Sequence, residues 1–167
     1  MKKGLALLLC AALCLVCGCE RSPRTDVVLF CSAFNEQMQG VTVREENVFR
    51  RSDTELLLYA DNLLLRLLTT QDNTIHTVVV TGCPAQIQAL REAARCAFSI
   101  LAEPFGETAP TSLLRKTRAG EIAVEKEETE HFLYLLYRSP DSVTILQWNR
   151  LLCPIPSLPS LHPAGAE

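Results

Sequence analysis

The chain contains 167 residues, enough for one domain of ordinary size and too few for two large ones. Hydrophobic residues make up 48% and charged residues 21%, which allows a buried core and excludes a wholly disordered chain. The formal net charge of −3 excludes the broad basic surface with which proteins bind nucleic acid. We therefore expect a small globular protein without a nucleic-acid partner.

The chain begins with a basic, then apolar segment. Lys2 and Lys3 precede an uncharged run from Leu5 to Cys17, and Glu20 and Arg21 prevent its extension. The run is shorter than the roughly 20 residues of a membrane-spanning helix and fits the central region of a secretory signal peptide. A buried core helix is the alternative, but the run has no polar face.

The end of this segment, Val16-Cys17-Gly18-Cys19, resembles the lipobox of bacterial lipoproteins. The resemblance implies that the signal peptide, residues 1–18, is removed after the small residue Gly18. It also implies that Cys19 becomes the lipidated N-terminus, carrying thioether-linked lipid and an acyl chain such as palmitate. The sequence departs from the family at Cys17, where Ala, Ser or Thr is usual.

The residue after the lipidated cysteine implies a location. In this family an aspartate there retains the protein at the inner membrane, whereas this chain has Glu20. The resemblance therefore implies the outer membrane of a Gram-negative cell, with the protein facing the periplasm. Residues 19–25 would be the lipidated cysteine and a tether reaching on the order of 20 Å.

Two amphipathic helices are predicted. Asp26 is a suitable N-cap for a first helix that runs to Gln39, and Gly40 is a suitable stop. Pro84 suits the first position of a second helix, residues 84–102, in which apolar residues recur at helical spacing. Residues 103–119 contain Pro104, Gly106 and Pro110, with Gly120 just beyond, and are predicted to form a long loop.

Residues 53–82 allow two interpretations. Strands over 54–60, 62–69 and 74–81 would form a meander. The alternative is one leucine-rich helix over 53–70, since leucine favours helices and Ser52 lies three residues before a glutamate, as in a capping box. We prefer the meander, because Asp61 and Asn62 would interrupt the helix.

The last third of the chain predicts strands and a tail. Residues 120–124 are a candidate strand, and strands over 132–138 and 143–148 flank a turn at 139–142. The proline-rich tail, residues 153–167, is predicted to be extended or disordered. The predicted fold class is α+β: an antiparallel sheet (meander plus hairpin) in a single domain, residues 26–152, packed on one face by two helices.

Four cysteines follow Cys19, namely Cys31, Cys83, Cys96 and Cys153. An even number in an oxidising compartment is compatible with disulfides, and four cysteines allow three pairings. We expect Cys31 to pair with Cys96 and Cys83 to pair with Cys153. The alternative is that some of them are buried thiols, which pack as small hydrophobic groups.

Cys83 also has a chemical interpretation. It lies at the predicted start of a helix, where free amides and the helix dipole can lower a thiol pKa. The basic run 115–118 could contact phosphate or an acidic partner, but the preferred interpretation is a solvated loop. The carboxylate-rich run 125–130 fits a solvated face. Trp148, Tyr134 and Tyr137 could line a surface groove or pack across strands.

The sequence carries two functional hypotheses. The first is a non-catalytic outer-membrane lipoprotein, a binding or assembly module with a membrane anchor, a possible envelope-protein partner and no cofactor or metal. It depends on the lipobox and on the lack of P-loop, nucleophile-elbow or zinc-protease motifs. The alternative is a periplasmic thiol-dependent enzyme or redox protein that uses Cys83. The sequence identifies no small-molecule ligand.

Overall fold

The computed structural model describes residues 24–38, 42–60, 62–116 and 122–153. The lipobox and the segment 154–167 therefore lie outside the described residues. Three helices occur in the described chain: α1 (Val27–Gln37), α2 (Ile87–Ala102) and the short α3 (Thr111–Arg115). No helix of the described residues is long and apolar enough to cross a membrane.

Seven strands form one antiparallel sheet in the order β1-β2-β3-β4-β7-β6-β5. The strands are β1 (Val48–Ser52), β2 (Glu55–Ala60), β3 (Leu63–Thr69), β4 (Ile75–Gly82), β5 (Ala123–Glu128), β6 (Phe132–Arg138) and β7 (Val143–Asn149). Strands β1 to β4 form one meander and β5 to β7 a second. The two meanders meet where β4 pairs with β7.

The predicted α+β class is confirmed, and the meander is correct for residues 53–82. The first helix begins after Asp26, whose side chain accepts a hydrogen bond of 2.9 Å from the Leu29 amide, as an N-cap should. The second helix starts as a single 3₁₀ turn, Pro84–Gln86, and continues as α2. The first helix ends at Gln37 with Met38 as its C-cap, earlier than predicted, while Gln39 and the predicted stop at Gly40 lie outside the described residues.

Three details differ from the prediction. Strand β1 was not expected, and the predicted loop 103–119 contains α3. The strand expected at 120–124 is β5, displaced toward the charged run, so the carboxylates there belong to an edge strand. Charged side chains on an edge strand hinder pairing with a strand of another chain. The Glu- and Lys-rich sequence of β5 is therefore compatible with its position at the edge of the sheet.

The core lies between the helices and one face of the sheet. Phe30 and Phe34 of α1 and Leu90 and Phe98 of α2 are fully buried together with inward-facing strand residues such as Ile145. Burying large side chains of this kind contributes on the order of 1.5–3 kcal/mol each. Within the described residues both long helices contribute to this one core.

Candidate functional site: the open face of the sheet

The other face of the sheet carries no helix of the described chain. Side chains alternate between the two faces of a strand, so each core residue has neighbours that point outward. Ile145 is buried in the core, whereas the adjacent Leu146 is only half-buried and does not belong to the core cluster. We call this outward-pointing set of strand residues the open face.

The strand register arranges the open face in three rows, of which the central one crosses all seven strands and the other two cross the six strands from β2 to β5. The central row is Phe49, Leu57, Arg66, Val79, Leu146, Leu135 and Lys126. The rows on either side are Tyr59, Leu64, Thr81, Thr144, Tyr137 and Val124, and Glu55, Leu68, Thr77, Trp148, Leu133 and Glu128. Most of these positions are apolar, although an antiparallel sheet with one solvated face usually has polar residues there.

Several large apolar side chains of the open face are substantially exposed. Phe49 is 53% exposed and Val124 68%, at opposite edges of the sheet, while Tyr59 and Tyr137 are each 43% exposed. The rings of Phe49 and Tyr59 contact each other edge to face, with centroids 5.6 Å apart. A contiguous apolar surface of this kind is characteristic of an interaction site.

The charged residues of the open face pair with one another. Arg66 lies 2.5 Å from the carboxylate of Glu55, and Lys126 forms an ion pair with Glu128. This ion pair lowers the pKa of the Glu128 carboxyl, chiefly through its hydrogen bond with Lys126. The open face therefore presents apolar surface with balanced charges, which suits an uncharged ligand better than an anionic one.

The predicted aromatic groove is divided between the two faces. Trp148 and Tyr137 lie on the open face, but Tyr134 is fully buried in the core, where its hydroxyl accepts a hydrogen bond of 3.2 Å from Gln147 Nε2. The same amide nitrogen donates to the carbonyl of Phe98 at 3.1 Å. Burial raises the pKa of Tyr134 to about 12, with Glu107 and Glu127 adding to the effect.

A second polar cluster ties the β5–β6 turn to the segment after α2. The Glu107 carboxylate accepts hydrogen bonds from the backbone amide of His131 at 3.0 Å and from its Nδ1 at 2.6 Å, and from the hydroxyl of Thr129. Ligand atoms of Glu107, Glu130 and His131 lie within 4.8 Å of one another, as in sets that can hold a cation. Because both Glu107 oxygens already accept hydrogen bonds, we interpret this cluster as a structural link.

The sequence did not predict that link. Glu107 and His131 are 24 positions apart, and neither belongs to a motif. His76 is a half-buried residue of β4, and its pKa is lowered mainly by burial. His162 lies outside the described residues.

The basic run 115–118 contributes to a shallow cleft beside α2. Arg115 lines a cavity of about 320 Å³ together with Arg95 of α2. Lys116 is engaged elsewhere, in an ion pair of 2.7 Å with Glu125. Thr117 and Arg118 lie outside the described residues. The predicted contact with phosphate or an acidic partner stays a prediction.

The four cysteines of the domain carry free thiols in this structure. Cys83 and Cys153 follow opposite ends of the β4–β7 pair, since Gly82 is opposite Val143 while Asn149 ends β7. The length of β7, about 20 Å, separates them, whereas a disulfide needs Cα atoms about 4.4–6.8 Å apart. The expected Cys83–Cys153 bridge therefore does not fit within one copy of this sheet.

The other two cysteines lie on the two long helices, as predicted. Cys96 is 8% exposed on α2, its thiol lies 3.7 Å from Gln37 Oε1 of α1, and burial raises its pKa to about 11. Cys31 on α1 is half-buried, and burial also raises its pKa. The Cys31–Cys96 pairing stays a prediction.

Cys83 is the exposed cysteine of the four. It precedes the 3₁₀ turn that leads into α2 and lines a cleft of about 400 Å³ at the rim of the open face, beside Tyr59 and Leu64. Its thiol lies 3.7 Å from the side-chain oxygen of Gln86. Among the described residues, Asp141 is the carboxylate in this cleft and no histidine lines it.

The fold and the open face define the protein as an α+β domain whose single antiparallel sheet has helices on one side and an apolar surface on the other. Comparisons of the chain with known protein families, with curated proteins and with solved structures found no match. The functional argument therefore depends on the chain's own residues.

Proposed function

We propose that this protein is a non-catalytic lipoprotein of the outer membrane that faces the periplasm and acts as a binding or assembly module. We further propose that the open face binds an uncharged, extended apolar segment of an envelope protein. The observation that carries the proposal is the largely apolar open face, whose central row crosses all seven strands and which has no helix of the described chain over it. Its internally paired charges support an uncharged ligand.

The anchor proposal depends on the lipobox resemblance at Cys19. Thr25 accepts a hydrogen bond of 2.9 Å from the Ile75 amide, and Arg24 forms an ion pair of 2.7 Å with Asp72. These contacts bring the tether to the end of the sheet where Trp148 lies opposite Thr77. A short tether would keep this end of the open face close to the bilayer.

The binding proposal is tested with the full chain in nanodiscs of neutral phospholipid. Trp148 is the single tryptophan of the chain and lies on the open face, so its fluorescence reports occupancy directly. We expect an uncharged peptide of about five Pro-Leu-Ser triplets, extended in solution, to bind saturably. Leu146→Lys should weaken this binding on the order of tenfold, because it places an unpaired charge in the interface.

The matched control is Ser32→Lys, which adds the same charge at an exposed position on α1. If Leu146→Lys does not fold, Tyr137→Lys is used in its place, because Tyr137 is an exposed residue of the open face. Equal binding by the open-face variants and the control would overturn the proposal. If the open-face variants bind lipid vesicles more weakly but bind the peptide as well as the control does, the open face binds a membrane surface and not a protein segment.

The alternative function, a thiol-dependent enzyme or redox protein using Cys83, has the exposure of Cys83 in its favour. We expect iodoacetamide to modify Cys83 in the native protein at least about ten times faster than Cys96, whose burial and pKa of about 11 suppress the thiolate. The measurement is intact and peptide mass with and without reduction, with Cys83→Ser as the control.

The same mass spectra test the anchor, because a mature chain would begin at Cys19 and carry acyl chains. A full-length, unacylated mass would contradict the anchor. If iodoacetamide modifies Cys83 only after reduction, Cys83 is not a free thiol in the native protein. A Cys83→Ser variant that keeps full peptide binding would favour the binding module over the thiol enzyme.

A further inference from the structure

We propose that residues 154–167 of the chain itself lie across the open face, as a built-in occupant that competes with the partner segment. This inference rests on the proposed function, since it concerns the same surface, and it adds a regulatory element. It depends on where the described chain ends, on the spacing of apolar residues in the segment, and on the dimensions and charge of the open face.

The described chain ends against the open face. The indole Nε1 of Trp148 donates a hydrogen bond of 2.7 Å to the carbonyl oxygen of Cys153. The turn that makes this possible is held by Asn149, whose side-chain oxygen accepts from the amides of Leu151 at 2.9 Å and Leu152 at 3.1 Å. Because Trp148 points outward in the register, the described chain ends at Cys153 beside the open face and not beside the helices.

The open-face residues next to Trp148 have little solvent exposure. Thr77 and Leu133 flank Trp148 in the same row and are only 3% and 7% exposed. Farther along the other rows, Tyr137 and Tyr59 are each 43% exposed. The exposed apolar surface of the open face is therefore the part farther from Trp148.

The sequence of the segment suits an apolar surface. Ile155, Leu158 and Leu161 are three positions apart, in a segment with prolines at 154, 156, 159 and 163. Such proline content favours a polyproline II conformation, which has three residues per turn, so the three aliphatic side chains would align on one side. Segments of this type dock against surfaces lined with aromatic residues, such as Trp148 and Tyr59.

The dimensions of the segment and the surface agree. From Ile155 to Leu161, a polyproline II segment extends about 19 Å. Four strand spacings separate β7 from β1, which is also about 19 Å. The aliphatic side chains could thus contact the open face from Trp148 to the region of Phe49 and Tyr59. Residues 154–166 contain no Asp, Glu, Lys or Arg, which matches the balanced charges of the surface.

The test replaces Ile155, Leu158 and Leu161 by serine in the full chain, which leaves Cys153 and its bond to Trp148 intact. We expect acrylamide to quench Trp148 fluorescence about twofold more strongly in this variant. We also expect the Pro-Leu-Ser peptide to bind on the order of tenfold more tightly, because it no longer competes with an attached segment. The matched control, Ser157→Ala with Ser160→Ala, alters another side of the segment.

The outcomes separate this inference from the proposed function. Unchanged quenching and unchanged peptide affinity in the triple variant would overturn the inference, while peptide binding that still depends on Leu146 would leave the proposed function standing. Stronger quenching in a variant that binds no peptide would support the built-in occupant and overturn the proposed partner. An effect of equal size in the control variant would also overturn the inference, because it would not depend on the aliphatic residues.

Discussion

Ile145→Ala will lower the free energy of unfolding by about 2–5 kcal/mol, because it removes buried methyl groups and leaves a cavity in the core. The adjacent Leu146→Ala will lower it by only about 1 kcal/mol, because a half-buried side chain loses less transfer free energy. Ile145 is fully buried and Leu146 lies on the open face, one position along the same strand. The two variants therefore compare the two faces at nearly the same place.

Urea unfolding of the full chain, followed by circular dichroism, gives both values, and unchanged m-values would show that the denatured states are comparable. A loss for Leu146→Ala as large as that for Ile145→Ala would mean that the open face is packed as tightly as the helix-covered core. In that case the open face would not be a docking surface for an exchangeable partner.

The protein will lose stability between about pH 10 and pH 12 as Tyr134 titrates. Its folded-state pKa is about 12, whereas the ordinary value in an unfolded chain is about 10. In this range the folded protein keeps the phenol proton that the unfolded chain releases, so the free energy of unfolding falls as pH rises. The full loss attributable to Tyr134 is about 2–3 kcal/mol.

The measurement is urea unfolding at pH values from 9 to about 12 in the wild type and in Tyr134→Phe. The variant keeps the hydrogen bond from Gln147 to Phe98 and should lose correspondingly less stability over this range. Tyr137→Phe, on the open face, is the control and should follow the wild type. An identical pH dependence in Tyr134→Phe would contradict the burial of the Tyr134 hydroxyl.

The sequence predicted the elements in which local pattern and turn chemistry agree. The meander over 53–82 follows from the turn residues Asp61 and Asn62, although leucine itself favours helices. The hairpin of β6 and β7 follows from two β-favouring runs on either side of a short polar turn. The helix α2 follows from its apolar spacing behind Pro84.

The edge strands were harder to predict, because an edge has fewer side chains to bury. Strand β1 contains Arg50 and Arg51 in exposed positions and lacks the alternation of a half-buried strand. Strand β5 consists largely of Glu and Lys, which are depleted in strands. Only the register against Leu133 and Tyr137 of the neighbouring strand shows why these residues lie in the sheet.

The open face had a signal in the sequence that was not used. Residues 56–58 and 63–65 are unbroken leucine runs, and an unbroken apolar run in a strand means that both faces are apolar. A prediction that only distinguishes helix from strand for these runs does not include the open face. The link between Glu107 and His131 has no local signal in the sequence. It forms because the segment after α2 lies beside the β5–β6 turn, at the β5 edge of the sheet.

The pairing of β4 with β7 at the centre of the sheet also shapes how the chain folds. Within each meander the paired strands are neighbours in the sequence, but Thr81 and Thr144, which bond across this seam, are 63 positions apart. Closing so long a loop is entropically costly and slow compared with forming hairpins. The two halves should therefore assemble locally first and join along this seam last, which makes it the step that limits the folding rate.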